Sequence, residues 1–272
     1  MKKPFDKAGF TIKLTLLTMT AVMVYALVTM DQKDVSLSRS ISQTIDNFGM
    51  MFSEAHFKHF SFKDAAYSAL ITFGLAIITT LIGAFIALGT GLLAARNISG
   101  NAMSQAVKAI VAVIRAVPTI LWVLIFAVSS GLGSVAAIVG MTFHTVSYLT
   151  KAYAESFEEM DEGVLEALRG SGASKWHIVF QAVIPSSATY LLSWTFLRLE
   201  MNFSNALAMG AAAGAGGIGY DMYMASGLYF DIREMGTLTY FILLITISLE
   251  LFSTRWKGKL RSGGYTMSSV GK

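Results

Sequence analysis

Residues 155–185 read ESFEEMDEGVLEALRGSGASKWHIVFQAVIP, a polar and densely charged segment set between long apolar runs. Leu165, Glu166, Ala167 and Leu168 continue one helical face. Gly170 and Gly172 are expected to break it, because glycine costs about 1 kcal/mol in a helix interior and frees the backbone for positive φ. Ser174 is suited to cap a second, short helix through Trp176, Ile178 and Val179, which Pro185 is expected to end. The segment therefore reads as a helix, a glycine hinge and a second helix. A polar hairpin fixed between two membrane spans suits docking of a soluble partner.

The rest of the chain supplies those spans. Of 272 residues, 54% are hydrophobic and 14% charged, against roughly 25% charged in soluble domains. At ~20 apolar residues per crossing the length allows about six spans. The apolar runs are continuous and do not alternate, which favours helices over a barrel. There is no cysteine, so disulfides and thiolate metal sites are excluded. The net charge of +4 comes without a basic cluster interleaved with aromatics, so no nucleic-acid partner is expected.

Outward from the hairpin, the expected spans are 14–30, 65–95, 109–128, 134–149, 186–209 and 235–252. The basic start (Lys2, Lys3, Lys7, Lys13) precedes the first of them with no small-residue cleavage pattern after it, which reads as an uncleaved span. Residues 31–64 are a mixed-charge segment, 96–108 a polar loop, and 210–234 a segment rich in glycine and tyrosine. Pro118 should kink or start a helix within the third span. Arg96, Lys108, Lys151, Arg169, Lys175 and the tail Arg255, Lys257, Lys259 and Arg261 fall on the side of the N-terminus, while Lys33, Arg39, Lys58, Lys63 and Arg233 fall opposite. Lysine and arginine favour the cytoplasm, so both termini and the hairpin are expected there. Three regions follow: 1–64 with the first span and an extracytoplasmic segment, 65–254 as the core containing the loop 151–185, and 255–272 as a basic tail.

Several residues inside the apolar runs are candidates for chemistry. Arg198 and Glu200 are costly in a bilayer and should face the bundle interior or a water-filled cavity. Two positions apart, they point about 200° from each other, so a direct mutual pair is not expected. Arg198 is suited to attract an anion through charge-assisted hydrogen bonds, or equally to join helices. His144 is either a satisfied core histidine or a lining residue of the pathway. His56 and His59 lie three apart, a metal-binding spacing if a further ligand meets them and solvated surface if none does. Gly214, Gly216 and Gly219 fit G-x-G-x-x-G, but a dinucleotide site needs a strand before it. With membrane helices on both sides, the glycines 214, 216, 217 and 219 read instead as a tight non-helical turn whose amides could face a transport pathway. The chain has no P-loop, no nucleophile elbow and no H-E-x-x-H, so it is not expected to be an enzyme on its own.

Glu166-Ala167-Leu168, Gly172 six residues after Glu166, and Ile184-Pro185 resemble the EAA loop of ABC importer permeases. Leu168 replaces the motif's second alanine, Ala182 its isoleucine and Ile184 its leucine. With Arg115-Ala116-Val117-Pro118, Gly131-Leu132-Gly133, Lys151 and Glu155, Gly172-Ala173-Ser174, Leu197-Arg198-Leu199-Glu200 and the glycine turn, the order of motifs is similar to that of phosphonate and phosphite permeases. Thr119 stands where that group has Glu, Ser204 where it has Arg, and Ala213 where it has Val. The resemblance implies an all-α, six-helix type I permease in the bacterial inner membrane, working as a homodimer. It implies an ATP-binding subunit dimer docked on Glu166, Ala167, Leu168, Gly170, Gly172, Ala173 and Pro185, with ATP and Mg²⁺ held in that partner and no cofactor in this chain. It also implies an extracytoplasmic substrate-binding protein and a pathway using Arg198, Glu200, His144 and the glycine turn. A methionine-type or other small-solute ABC permease and an ion-gradient-driven secondary transporter are the alternatives.

Overall fold

The structure, a computed structural model, describes residues 6–29 and 36–268, and among these it contains helices and no strands. In chain order the helices are α1 (Lys7–Thr29), α2 (Leu37–Ser53), α3 (Phe62–Ala94), α4 (Arg96–Ser99), α5 (Asn101–Ala116), α6 (Thr119–Ser130), α7 (Ser134–Glu158), α8 (Glu162–Gly170), α9 (Lys175–Ile178), α10 (Ile184–Ala213), α11 (Ile218–Gly227) and α12 (Ile232–Ser268). A single π turn (Val179–Val183) joins α9 to α10. The N-terminal lysines Lys2 and Lys3, the acidic Asp31 and Asp34, and residues 269–272 lie outside the described residues.

The chain divides into two compact units, one ending at Phe48 and one beginning at Gly49. In the first, α1 is apolar on all sides, with Leu17, Tyr25 and Val28 well exposed. Its threonines turn their hydroxyls back onto the helix, as where Thr15 donates to the Thr11 carbonyl, so they cost little in an apolar surround. The second unit is built on α3, α7 and α10. Ser61 and Asp64 form a capping box that starts α3, each satisfying a backbone amide of the other's turn. Along α3, the small residues Ala76, Thr80, Gly83, Ala87 and Gly91 are all buried and recur every three or four positions, placing them on one face. A Cβ on Gly83 would overlap the Thr145 side chain, so this face lets α7 approach backbone to backbone, the usual device in bilayers.

Among the described residues, three helices are long and apolar enough to cross a membrane: α1, α3 and Ile232–Trp256 of α12, with the bent pair α5–α6 as a fourth candidate. α7 and α10 are the expected fourth and fifth spans. They are long enough, at 25 and 30 residues, but carry Lys151, Glu155 and Glu158, and Arg198 and Glu200. The expected third span takes a different form: α5 begins at Asn101 and turns by 87° into α6 at Pro118. Val117 is extended and Pro118, which has no amide to offer, sits before the first turn of α6. The polar loop expected over 96–108 is mostly helix, because Val107, Val111 and Ile114 already repeat at helical spacing. The mixed-charge segment 31–64 contains α2, and the glycine-tyrosine segment 210–234 contains α11. Residues 49–64 belong to the second unit, since the backbone of Lys58, His59 and Phe60 is held by Glu234. The basic stretch from Arg255 continues α12 through Ser268.

Candidate functional site

Two places in the second unit gather the expected residues. The first lies where α3, α7 and α10 cross. Arg198 is completely buried. Its Nε donates to Thr145 Oγ1 at 3.2 Å and its Nη2 lies 3.1 Å from His144 Nδ1. Because a guanidinium has only donors, His144 Nδ1 accepts, and the neutral ring carries its proton on Nε2. The guanidinium carbon sits 5.2 Å from the centre of the Tyr148 ring, within cation–π range. Four residues further along α10, Asn202 donates to Thr145 Oγ1 at 3.0 Å and to Thr80 Oγ1 at 2.9 Å. Thr145 in turn donates to the Met141 carbonyl at 2.7 Å. The result is a polar strip linking three helices around one cation. Nη1 of Arg198 has no partner, and no carboxylate bridges the guanidinium among the described residues.

The expected pathway residues divide. Arg198 and His144 meet, whereas Glu200 faces the other way, half-buried, and lines a pocket with the exposed Met201 and Ser204 and with Thr246 and Glu250 of α12. That divergence follows from their spacing on the helix. The glycine turn is a separate place. Gly214 is exposed, but Gly217 and Gly219 are buried, and the Ile218 amide is spent on Thr72 Oγ1 at 3.0 Å. A Cβ on Gly217 would strike that hydroxyl, and one on Gly219 would strike the Leu207 carbonyl. Thr72 and Thr80 are eight residues apart on α3, or about 12 Å, so the turn does not adjoin Arg198. A helix precedes it, as the rejection of a dinucleotide site requires. Thr80, Thr145, Tyr148 and Asn202 escaped the sequence reading. The signal for Asn202 was its place one turn beyond Arg198 inside an apolar run.

The second place is the hairpin. Asp161 caps α8 by accepting from the Gly163 amide at 2.8 Å. The helix ends with the Ala173 amide donating to the Leu168 carbonyl and the Gly172 amide to that of Arg169. Gly172 has φ +86°. This is the Schellman arrangement, which needs a left-handed residue and is usually accompanied by apolar packing at the turn; here Leu168 and Ala173 both pack against the same apolar cluster. Gly170 remains helical, so Gly172 alone makes the break. Pro185 does not end a helix but stands in the first turn of α10. The π turn before it closes with the Ile184 amide donating to the Val179 carbonyl, five residues back and just ahead of the proline that has no amide to give.

Leu165 is buried in a cluster with Tyr153, Phe157 and Ile178 that joins α8 to α7. Arg169 Nη2 donates to the Asn97 carbonyl at 2.7 Å. Lys108 Nζ and the Arg96 amide each approach Glu158 Oε1 at 2.8 Å. Burial alone would raise the Glu158 carboxyl, but these hydrogen bonds and the charges of Lys108 and Arg96 hold it below the usual carboxylate range. Contrary to expectation, Glu166 and Ala167 do not share the face of Leu165 but are exposed on the opposite face of α8, because successive residues turn by about 100° around a helix. The hairpin is thus fixed on one side and open on the other.

Comparison with known proteins places this architecture. The family described as binding-protein-dependent transport system inner membrane component matches residues 87–261. The phosphate-import permease protein PhnE of Mycolicibacterium smegmatis is 31% identical over 192 residues, covering 70% of this chain and 36% of that protein. The phosphite transport system permease protein PtxC of Stutzerimonas stutzeri is 28% identical over 183 residues, covering 67% of this chain and 66% of its own length. The chain therefore spans about a third of the first relative and just under two thirds of the second. Among solved structures, a chain of the MetNI methionine ABC transporter in an inward-facing conformation superposes with a TM-score of 0.67 at 21% identity, over 75% of this chain and 99% of that one. The helical architecture, the order of motifs and the family match agree, and the chain belongs to the binding-protein-dependent transport system inner membrane components, a family of integral membrane proteins.

Proposed function

We propose that this chain is the permease subunit of an ATP-driven importer of the bacterial inner membrane, and that its substrate is phosphonate, phosphite or a related small oxyanion. The observation that carries the substrate class is the Arg198 guanidinium, wholly buried with one nitrogen unpartnered and no bridging carboxylate among the described residues. A charge so placed is costly unless something answers it. An oxyanion reaching it past the half-buried His144 and Tyr148 answers it with charge-assisted hydrogen bonds. The names of the mycobacterial and Stutzerimonas relatives, concerned with phosphate and phosphite, support the same class.

The chain itself carries out no hydrolysis. A pair of ATP-binding subunits, holding ATP and Mg²⁺, docks on the open Glu166–Ala167 face of α8. A substrate-binding protein delivers the anion from the other side, and a second copy of the chain completes the pathway. Closure of the ATPases pushes α8, whose buried Leu165 passes the movement to α7 and so to His144.

The test is uptake by proteoliposomes containing the chain and the ATPase that co-purifies with it, offered labelled phosphite or labelled methionine. ATP-dependent phosphite uptake that falls to background in Arg198→Met is the expected result. Methionine uptake without phosphite uptake would replace this reading with a methionine-type permease. Uptake abolished by an uncoupler at constant ATP would favour an ion-driven transporter with Arg198, Glu200 and His144 as a relay, against which stands the outward turn of Glu200.

A further inference from the structure

His56 and His59 are metal-spaced histidines that the transport reading does not use, and the fold brings them to two carboxylates more than 170 residues away in sequence. One donor atom each from His59, Asp231 and Glu234 lies within 4.8 Å of the others. Both carboxylates are oriented by backbone amides. Glu234, fully buried, accepts on Oε1 from the amides of Lys58, His59 and Phe60 at 2.9, 2.7 and 3.0 Å. Asp231 accepts on Oδ1 from the amides of Arg233 and Glu234, both at 3.1 Å. This leaves Glu234 Oε2 and Asp231 Oδ2 turned toward the histidines. Glu234 Oε2 lies 2.7 Å from His59 Nδ1, and the His59 ring is fixed by stacking on Tyr229 at 3.9 Å between centroids. His56 Nε2 lies 3.7 Å from Asp231 Oδ2.

From this geometry we infer that His59, Asp231 and Glu234 form a binding site for a zinc-type divalent cation, with His56 or water as the fourth ligand. Outer hydrogen bonds that hold ligands in place are what a metal site needs, and here they exist before any ion arrives. Tetrahedral Zn²⁺ at roughly 2.0–2.2 Å from nitrogen and oxygen sets its ligands about 3.4 Å apart, within the spread of these donor atoms. The proton now shared by His59 Nδ1 and Glu234 Oε2 is released as the cation enters. Lys58 Nζ, 3.6 Å from Asp231 Oδ2 on a mostly exposed side chain, is displaced to solvent. One imidazole among carboxylates selects a zinc-like ion over calcium or magnesium, which prefer oxygen alone. The bound ion would tie the segment before α3 to the start of α12.

The test is a titration of the chelator-stripped full chain in detergent, with any histidine tag removed, by ZnCl₂ against a chromophoric indicator. One Zn²⁺ per chain is expected, at least tenfold weaker in His59→Gln and in Asp231→Asn. The second variant keeps Oδ1 as acceptor for the two amides, and so keeps the start of α12. Co²⁺ in place of Zn²⁺ should give the visible absorption of a four-coordinate nitrogen–oxygen site in the native chain, a readout that needs no variant. No saturable binding at micromolar Zn²⁺, equal affinity in native chain and variants, or a Co²⁺ spectrum of a fully hydrated ion would each overturn the inference.

Discussion

Arg198 and Glu234 are both buried charges, and the structure answers them differently. Glu234 has four donors on its two oxygens. Removing it strands three backbone amides, at about 1–3 kcal/mol for each buried donor left unmade. Glu234→Ala should therefore lower stability by about 3 kcal/mol or more, read from the midpoint of chemical unfolding in detergent, while Glu234→Gln loses far less. Arg198 is only partly answered, by Thr145, His144 and the Tyr148 ring. A cation retained for structure alone should be destabilising to lose, whereas one retained for a ligand should be dispensable to the fold, since apolar replacement of a buried charge is often neutral or stabilising. Arg198→Met should leave the unfolding midpoint unchanged or raised; a loss above about 3 kcal/mol would make Arg198 an interhelical strut and remove it from the pathway. That Arg198 and Glu200 diverge was readable from helical spacing. That Arg198 meets His144 was not, because the two lie 54 residues apart and no local rule sets the register of α7 against α10.

At the scale of elements, glycine positions show why some boundaries were legible and others were not. The hairpin was legible because Gly172 and Ser174 are local signals for a stop and a cap, and each acts locally in the structure. Pro185 misled because a stop signal and a first-turn residue are the same residue, and only the π turn ahead of it, a product of packing, decides between them. Helices α2 and α11 were hidden by composition: charge in one and glycine in the other masked apolar positions such as Ile41, Ile45, Phe48 and Phe52. The two kinds of glycine predict opposite behaviour. Gly172 has φ +86° with open space where a Cβ would stand, so only backbone conformation is at stake, at about 1–2 kcal/mol for a left-handed L-residue. Gly172→Val should speed hydrogen exchange at the amides of residues 172 and 173 while the rest of the protein is unchanged, and Gly172→Asn should behave like the native chain. Gly219 is helical but presses on the Leu207 carbonyl. Gly219→Ala should therefore force α10 and α11 apart and lower the global unfolding midpoint, with no local signature at the hairpin.

For the whole molecule, the sequence displayed the class of fold through its apolar runs, but not the path of the bent pair α5–α6, whose right angle comes from Pro118 acting within a packed bundle. Orientation is the property on which the proposed coupling depends, because an ATPase can reach Glu166 only from the cytoplasm. The chain contains no cysteine, so single cysteines report their side of the membrane without background. Glu166 and Lys58 are both exposed, and Lys58 belongs to the segment before α3. Across α3, 33 residues long, a rise of 1.5 Å per residue gives about 50 Å, more than the ~30 Å of hydrocarbon to be crossed. Glu166→Cys in spheroplasts should resist a membrane-impermeant maleimide until the membrane is opened, while Lys58→Cys should react at once. Labelling of both from outside would place the hairpin where no ATPase can dock and sink the coupling mechanism, whatever the substrate. Protection of Glu166→Cys that persists in inverted vesicles, but only when the co-purifying ATPase is present, would locate the docking face on α8 directly.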